Sequence, residues 1–234
     1  YCGRLGKIEN CQSGVYLAYT STKGYALIDR RLFVPEKWFG QEYEERRKKC
    51  KMPQDLVFKK KPELANEMIQ EVCKSGLFSF RWVTCDTIFG NSPEFLQNLP
   101  EHIFCLAEIA KNRKVWIKPE ESRDRKKRPP VSVSDIARDE KVAWKLSKLA
   151  EGAKGPILGF VSRVRVYVDE PGKAENERWL FLRKDPTTEE IKYYFSNAPL
   201  DTSLEEMTRV CSLRWPIEQS FQEGKSELGM ADYE

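Results

Sequence analysis

Residues 77–86 read LFSFRWVTCD, an apolar, aromatic and β-branched run closed by an acid. A run of this kind, too short for an ordinary helix, predicts a strand over Leu77–Cys85 that is buried on both faces. Asp86 then stands just past the strand's C-terminal end, the edge where α/β sheets collect their ligand-binding groups. The same residue also reads as a turn-former, because Asp bonds to its own backbone in turns. Beyond it come a Gly90-Asn91-Ser92-Pro93 turn, a short helix around Glu94–Leu99, and a second buried strand at His102–Glu108 (HIFCLAE). On that strand His102 and Cys105 read as core residues. Upstream, Pro62–Lys74 has Pro in its first turn and Leu64, Met68, Ile69 and Val72 on one stripe, which predicts a helix. Pro35–Lys61 is polar and basic, with Arg46-Arg47-Lys48-Lys49, and reads as a loop with a short helix. Before it, Val15–Thr22 and Tyr25–Val34 are strand-like and meet at Lys23-Gly24, a hairpin. Strands alternating with helices indicate an α/β sheet.

Downstream the composition shifts. Lys118–Pro130, with Arg123, Arg125, Lys126, Lys127 and Arg128, reads as a linker, and Ser134–Glu151 as a helix capped by Ser134. Three strands follow at Ile157–Val168, Trp179–Arg183 and Ile191–Ser196, joined by turns at Glu170-Pro171-Gly172 and Asp185-Pro186. This stretch reads as a β-rich insertion. Leu204–Glu227 returns to helical periodicity, opened by Ser203 with Glu206 three residues on, the pattern of a capping box. The expected division is therefore a core over 1–111, an insertion over 112–203 and a returning core helix over 204–234.

Composition narrows the chemistry. The chain has 234 residues, of which 40% are hydrophobic and 12% aromatic, enough to build a core and to exclude wholesale disorder. Charged residues make up 32%, above the roughly 25% of typical domains. No stretch approaches the roughly 18 apolar residues of a membrane-spanning helix. The seven cysteines are odd in number, scattered, and contain no C-x-x-C pair, which argues against a disulfide framework or a zinc site and for reduced thiols in a cytosolic or nuclear compartment. His102 is the only histidine. Hydrolytic chemistry must then rest on carboxylates, thiols or lysines. The net charge of +4 is modest, and the basic runs at 46–49 and 123–128 read as solvated loops or, were the protein one that handles DNA, equally as backbone contacts. The chain opens at Tyr1 without an initiator Met and reads as part of something longer.

A second informative stretch is Arg214-Trp215-Pro216-Ile217-Glu218-Gln219-Ser220-Phe221-Gln222-Glu223-Gly224-Lys225. Ile217, Phe221, Gly224 and Leu228 follow the spacing of a buried helical stripe. Glu218 and Lys225, two turns apart, share another face. Pro216 fits a helix's first turn, which leaves Arg214 and Trp215 in the joint before it. Trp215 reads either as a core anchor, the favoured reading, or as a base-stacking platform.

These residues carry a resemblance. Cys211-x2-Arg214-x3-Glu218-x6-Lys225 resembles the Y-x2-R-x3-E-x6-K signature of DDE transposases of bacterial insertion sequences, with Cys in the Tyr place. The segment Cys2-Gly3-Arg4-Leu5-Gly6-Lys7-Ile8-Glu9-Asn10-Cys11-Gln12, the Asp86-x-x-x-Gly90 step and the Leu228-Gly229-Met230-x-x-Tyr233-Glu234 ending are similar to one branch of that superfamily. The resemblance implies an RNase H-like mixed sheet flanked by helices and interrupted by a β-rich insertion. It also implies three acids holding two Mg²⁺ or Mn²⁺ ions, with Asp86 the second and Glu218 the third. Arg214 and Lys225 would contact phosphates of double-stranded DNA, with Trp215 beside them. Cys211 supplies no tyrosine hydroxyl. The first acid would precede Cys2; Glu9 and Asp29 fit neither its order nor its setting. A homodimer assembled on DNA and a bacterial, nucleoid-associated cytoplasmic location follow from the same resemblance. Two other classes stand beside it: a catalytically silent DNA-binding module of the same fold, and a carboxylate-pair hydrolase such as a glycosidase.

Overall fold

A computed structural model describes residues 12–117, 129–152, 155–169, 176–227 and 229. The chain divides into two units, residues 1–79 with 216–234, and residues 80–215. The Cys2–Cys11 segment, Arg123–Arg128, the Glu170-Pro171-Gly172 turn, and Leu228, Met230, Tyr233 and Glu234 lie outside the described residues.

In the first unit, β1 (Ser13–Ser21) and β2 (Gly24–Phe33) form the expected antiparallel hairpin, with Ser21 opposite Gly24 and a bulge at Leu17/Ala18. Two 3-10 turns and α1 (Glu44–Lys49) follow, and Arg47 donates to the carbonyls of Trp38 and Gly40 at 2.5 and 2.8 Å. That basic run therefore has a structural use. Helix α2 (Lys61–Ser75) starts where Glu63 accepts from the Lys60 N–H at 2.5 Å, and it ends at Gly76, whose φ of +64° suits glycine. It buries Leu64, Met68 and Ile69. Arg31 on β2 reaches both Asp29 at 2.5 Å and Glu71 of α2 at 2.6 Å.

The second unit holds one mixed sheet of eight strands: β3 (Trp82–Cys85), β4 (Phe104–Ile109), β5 (Lys114–Ile117), β6 (Val131–Ser132), β7 (Lys145–Gly152), β8 (Gly155–Tyr167), β9 (Glu177–Lys184) and β10 (Ile191–Ser196). The order is β3-β4-β10-β9-β8-β5-β6, with β7 on β8. Only β3 and β4 run parallel; the other pairs are antiparallel. Short helices α3 (Thr87–Gly90) and α4 (Pro93–Gln97) follow β3, and α5 (Val133–Ala137) and α6 (Leu204–Ser212) complete the unit. The sheet is covered on both faces. Leu180, Leu182, Tyr193 and Phe195 pack with Val133 and Ile136 of α5, whereas Phe181 and Tyr194 pack with Met207 and Val210 of α6. Double coverage is the reason these strands read as continuous apolar runs. Phe181 is fully buried, its ring 5.9 Å from that of Tyr194. Phe181→Ala is expected to cost about 3–5 kcal/mol, read as a lower urea midpoint.

Several sequence expectations are corrected. Only Trp82–Cys85 of the Leu77–Cys85 run is strand, and Leu77 is 81% exposed. His102 lies exposed in the turn before β4, not in the core. The helix expected over 134–151 stops at Ala137 and is capped by Ser132, whose Oγ accepts from the Asp135 N–H at 3.2 Å. Lys145–Gly152 is instead a strand, because antiparallel pairing with β8, Gly152 opposite Gly155, overrides its local helical pattern. Ser203 caps α6 as expected, accepting from the Glu206 N–H at 3.0 Å, but the Glu206 carboxylate accepts from Trp82 Nε1 at 3.1 Å. Residues 112–203 are β-rich, yet they form no sheet of their own. Strand β10 takes the open edge of β4, and β9 and β8 follow, so these strands occupy the middle of the sheet. The two compact units meet in sequence at 79/80 and 215/216.

Candidate active site

Parallel pairing of β3 with β4 places Cys85 opposite Ala107, so Asp86 and Glu108 follow at the same edge of the sheet. Asp86 caps α3: its Oδ1 accepts from the Ile88 N–H at 2.9 Å. That leaves Oδ2 uncommitted among the described residues. Asp86 is thus a turn-former whose carboxylate stands just past the end of β3. Gly90 donates its N–H to the Asp86 carbonyl at 2.8 Å and sits so close to β4 that a Cβ there would meet the Glu108 carbonyl oxygen at 2.0 Å. The glycine of the Asp-x-x-x-Gly step is therefore a packing requirement. Gly90→Ala must lift α3 off β4, with an expected loss of about 1–3 kcal/mol seen as a lower melting temperature.

Arg214 lies in the joint between α6 and α7 (Trp215–Glu227), as expected. Its Nη1 donates to Glu108 Oε2 at 2.5 Å and to the Cys85 carbonyl at 3.4 Å. Side-chain exposure is 23% for Arg214 and 16% for Glu108, so the pair is largely shielded from water. Cys211, in the usual Tyr place, is buried in the core beside Tyr194, Met207 and Val210. Burial pushes the Cys211 and Cys85 thiols and the Tyr194 phenol up, which keeps all three protonated at neutral pH. The five described cysteines are free thiols.

Helix α7 carries Glu218 and Lys225, both exposed, and belongs from Pro216 onward to the first unit. Its apolar side includes Phe221, packed edge-on against Tyr16 of β1 at 5.1 Å, and the buried Gly224. Trp215 is 51% exposed, which overturns its reading as a core anchor. The structure thus brings Asp86 and Arg214 together, through Glu108 and Cys85, within the second unit. Glu108 was missed in the sequence; its signal is a lone charge inside the apolar strand FCLAEI. Among the described residues no three His, Cys, Asp or Glu side chains cluster to hold a metal.

A family model described as DDE superfamily endonuclease matches residues 1–156, well over half of the chain. The chain belongs to the DDE superfamily endonucleases. No curated protein matches it. The DDE match includes Asp86, Gly90 and Glu108 and ends before the Cys211–Lys225 signature. A mixed α/β sheet flanked by helices is consistent with the RNase H-like fold of such a DDE transposase-type domain. No helix among the described residues is long and apolar enough to cross a membrane.

Proposed function

We propose that this DDE endonuclease cleaves and joins DNA phosphodiesters at transposon ends, with Asp86 and Glu218 as carboxylate ligands of Mg²⁺ or Mn²⁺. The observation that carries the reading is Asp86 at the end of β3, one oxygen spent on capping α3 and the other open, in a chain of this family. Held there, such ions would supply Lewis-acid chemistry, activation of a water or 3′-hydroxyl and stabilisation of the leaving oxygen. The chain's own contribution is positional. Oδ1 of Asp86 is fixed by the Ile88 N–H, so the direction of its open oxygen is set before any ligand arrives. Glu218 supplies a second carboxylate from α7. Two carboxylates are few for two hard ions, because each ion must be compensated for lost water. The resemblance supplies a third acid on a strand ahead of Cys2.

Lys225 and Trp215, both exposed, are the proposed DNA contacts on and beside α7. A homodimer on the DNA and a bacterial cytoplasmic setting belong to the same proposal. The test is nicking of a supercoiled plasmid, paired with a gel-shift titration across salt concentrations. Lys225→Ala is expected to flatten the salt dependence of binding by about 0.9 in log–log slope, the release of one phosphate's counterions. An unchanged slope would remove Lys225 from the interface. Binding without any divalent-dependent nicking by the full-length protein would favour the silent module.

A further inference from the structure

The resemblance makes Arg214 a phosphate contact, but the structure gives its guanidinium other work. Nη1 is committed to Glu108 Oε2 at 2.5 Å and reaches the carbonyl of Cys85, the last residue of β3, at 3.4 Å. Glu108 stands on β4 next to the position that Asp86 takes after β3, and the backbone carbonyl of Glu108 is the surface on which Gly90 rests. Asp86 is thus bracketed. Its preceding carbonyl is tied to Arg214, and its own carbonyl to the Gly90 N–H against β4. We infer that Glu108 and Arg214 form a positioning pair that fixes the end of β3, and with it the direction of the Asp86 carboxylate. The inference rests on the proposed role of Asp86.

A largely shielded pair behaves differently from a surface one. Removing one partner leaves an uncompensated charge in a poorly hydrated place, whereas removing both leaves none. A phosphate-binding arginine has a different signature, since its loss lowers affinity and flattens the salt dependence whatever stands at position 108.

The experiment uses the full-length protein with Glu108→Gln, Arg214→Gln, the double variant and Asp86→Asn, each checked by thermal melting. Plasmid nicking is followed as a function of Mn²⁺ concentration, and binding to a double-stranded oligonucleotide as a function of salt. Each single variant is expected to nick at least about tenfold more slowly at low Mn²⁺, with partial recovery as Mn²⁺ rises, because a misdirected ligand weakens ion binding. The double variant is expected to be no worse than Arg214→Gln alone, and Glu108→Gln should keep the parent's salt slope. Normal nicking by Glu108→Gln, with a slope flattened by about one phosphate in Arg214→Gln, would overturn the inference and leave Arg214 a phosphate contact alone. Losses that add in the double variant would also overturn it, because uncoupled residues add. Variants that do not recover with Mn²⁺ while melting far below the parent would assign the pair to general stability and likewise overturn it. Undiminished nicking by Asp86→Asn would instead overturn the proposed function, which separates the two failures.

Discussion

Glu218→Gln in the full-length protein is expected to lower the nicking rate on the order of a thousandfold while leaving DNA binding and the melting temperature nearly unchanged. Glu218 sits exposed on α7, so its replacement by an amide of the same shape removes little packing. What is lost is an anionic oxygen. A hard divalent ion gives up tightly held water to bind, and a neutral amide offsets that far less than a carboxylate. Loss of about 4 kcal/mol of metal-dependent transition-state stabilisation corresponds to about a thousandfold in rate. The measurement is the single-turnover nicking rate in Mg²⁺ and Mn²⁺, beside a gel-shift titration. A rate within severalfold of the parent would take Glu218 out of the metal site.

The second large effect separates folding from chemistry at one residue. Asp86 both caps α3 and offers its remaining oxygen outward. Asp86→Asn retains an oxygen that accepts from the Ile88 N–H, so the cap survives and the melting temperature should hold. Asp86→Ala loses the cap as well, at about 1 kcal/mol. Nicking should fall on the order of a thousandfold in both, because both lose the charge that a hard ion requires. Equal rates with unequal stabilities are the expected result, read by melting curves and nicking assays on the same preparations. If Asp86→Asn keeps its activity and only Asp86→Ala falls, Asp86 is a cap and nothing more.

Much of this architecture was legible because burial leaves a mark on sequence. The β9 and β10 runs are apolar on both faces, covered by α5 on one side and α6 on the other, and they read as strands without ambiguity. The hairpin, α2 and the α6–α7 joint were signalled by Gly, Pro and capping residues, whose effects are local. What could not be read was pairing between distant segments. Lys145–Gly152 has helical spacing, and only its partner β8 makes it a strand. The strands of 112–203 announced themselves as strands but not their place beside β4, since nothing local encodes a neighbour more than eighty residues away, as Tyr194 is from Glu108. At the site, Asp86 and Gly90 were visible as a motif, while the reason for the glycine, a β4 carbonyl in its path, appeared only in three dimensions. Glu108 was passed over because a single acid in an apolar strand reads as strand and because its partner lies over a hundred residues on.

The most direct test of the proposed metal site asks where a divalent ion sits on the polypeptide, independent of any DNA chemistry. Fe²⁺ substituted for Mg²⁺ in the full-length protein, with ascorbate and peroxide, generates radicals that cut the backbone close to the bound ion, and the fragments are mapped by mass spectrometry. Scission beside Asp86 and beside Glu218, suppressed by excess Mg²⁺ and reduced in Asp86→Asn and Glu218→Gln, is the expected result. Scission elsewhere, or a pattern unchanged in both variants, would contradict the assignment of these two carboxylates to the metal site.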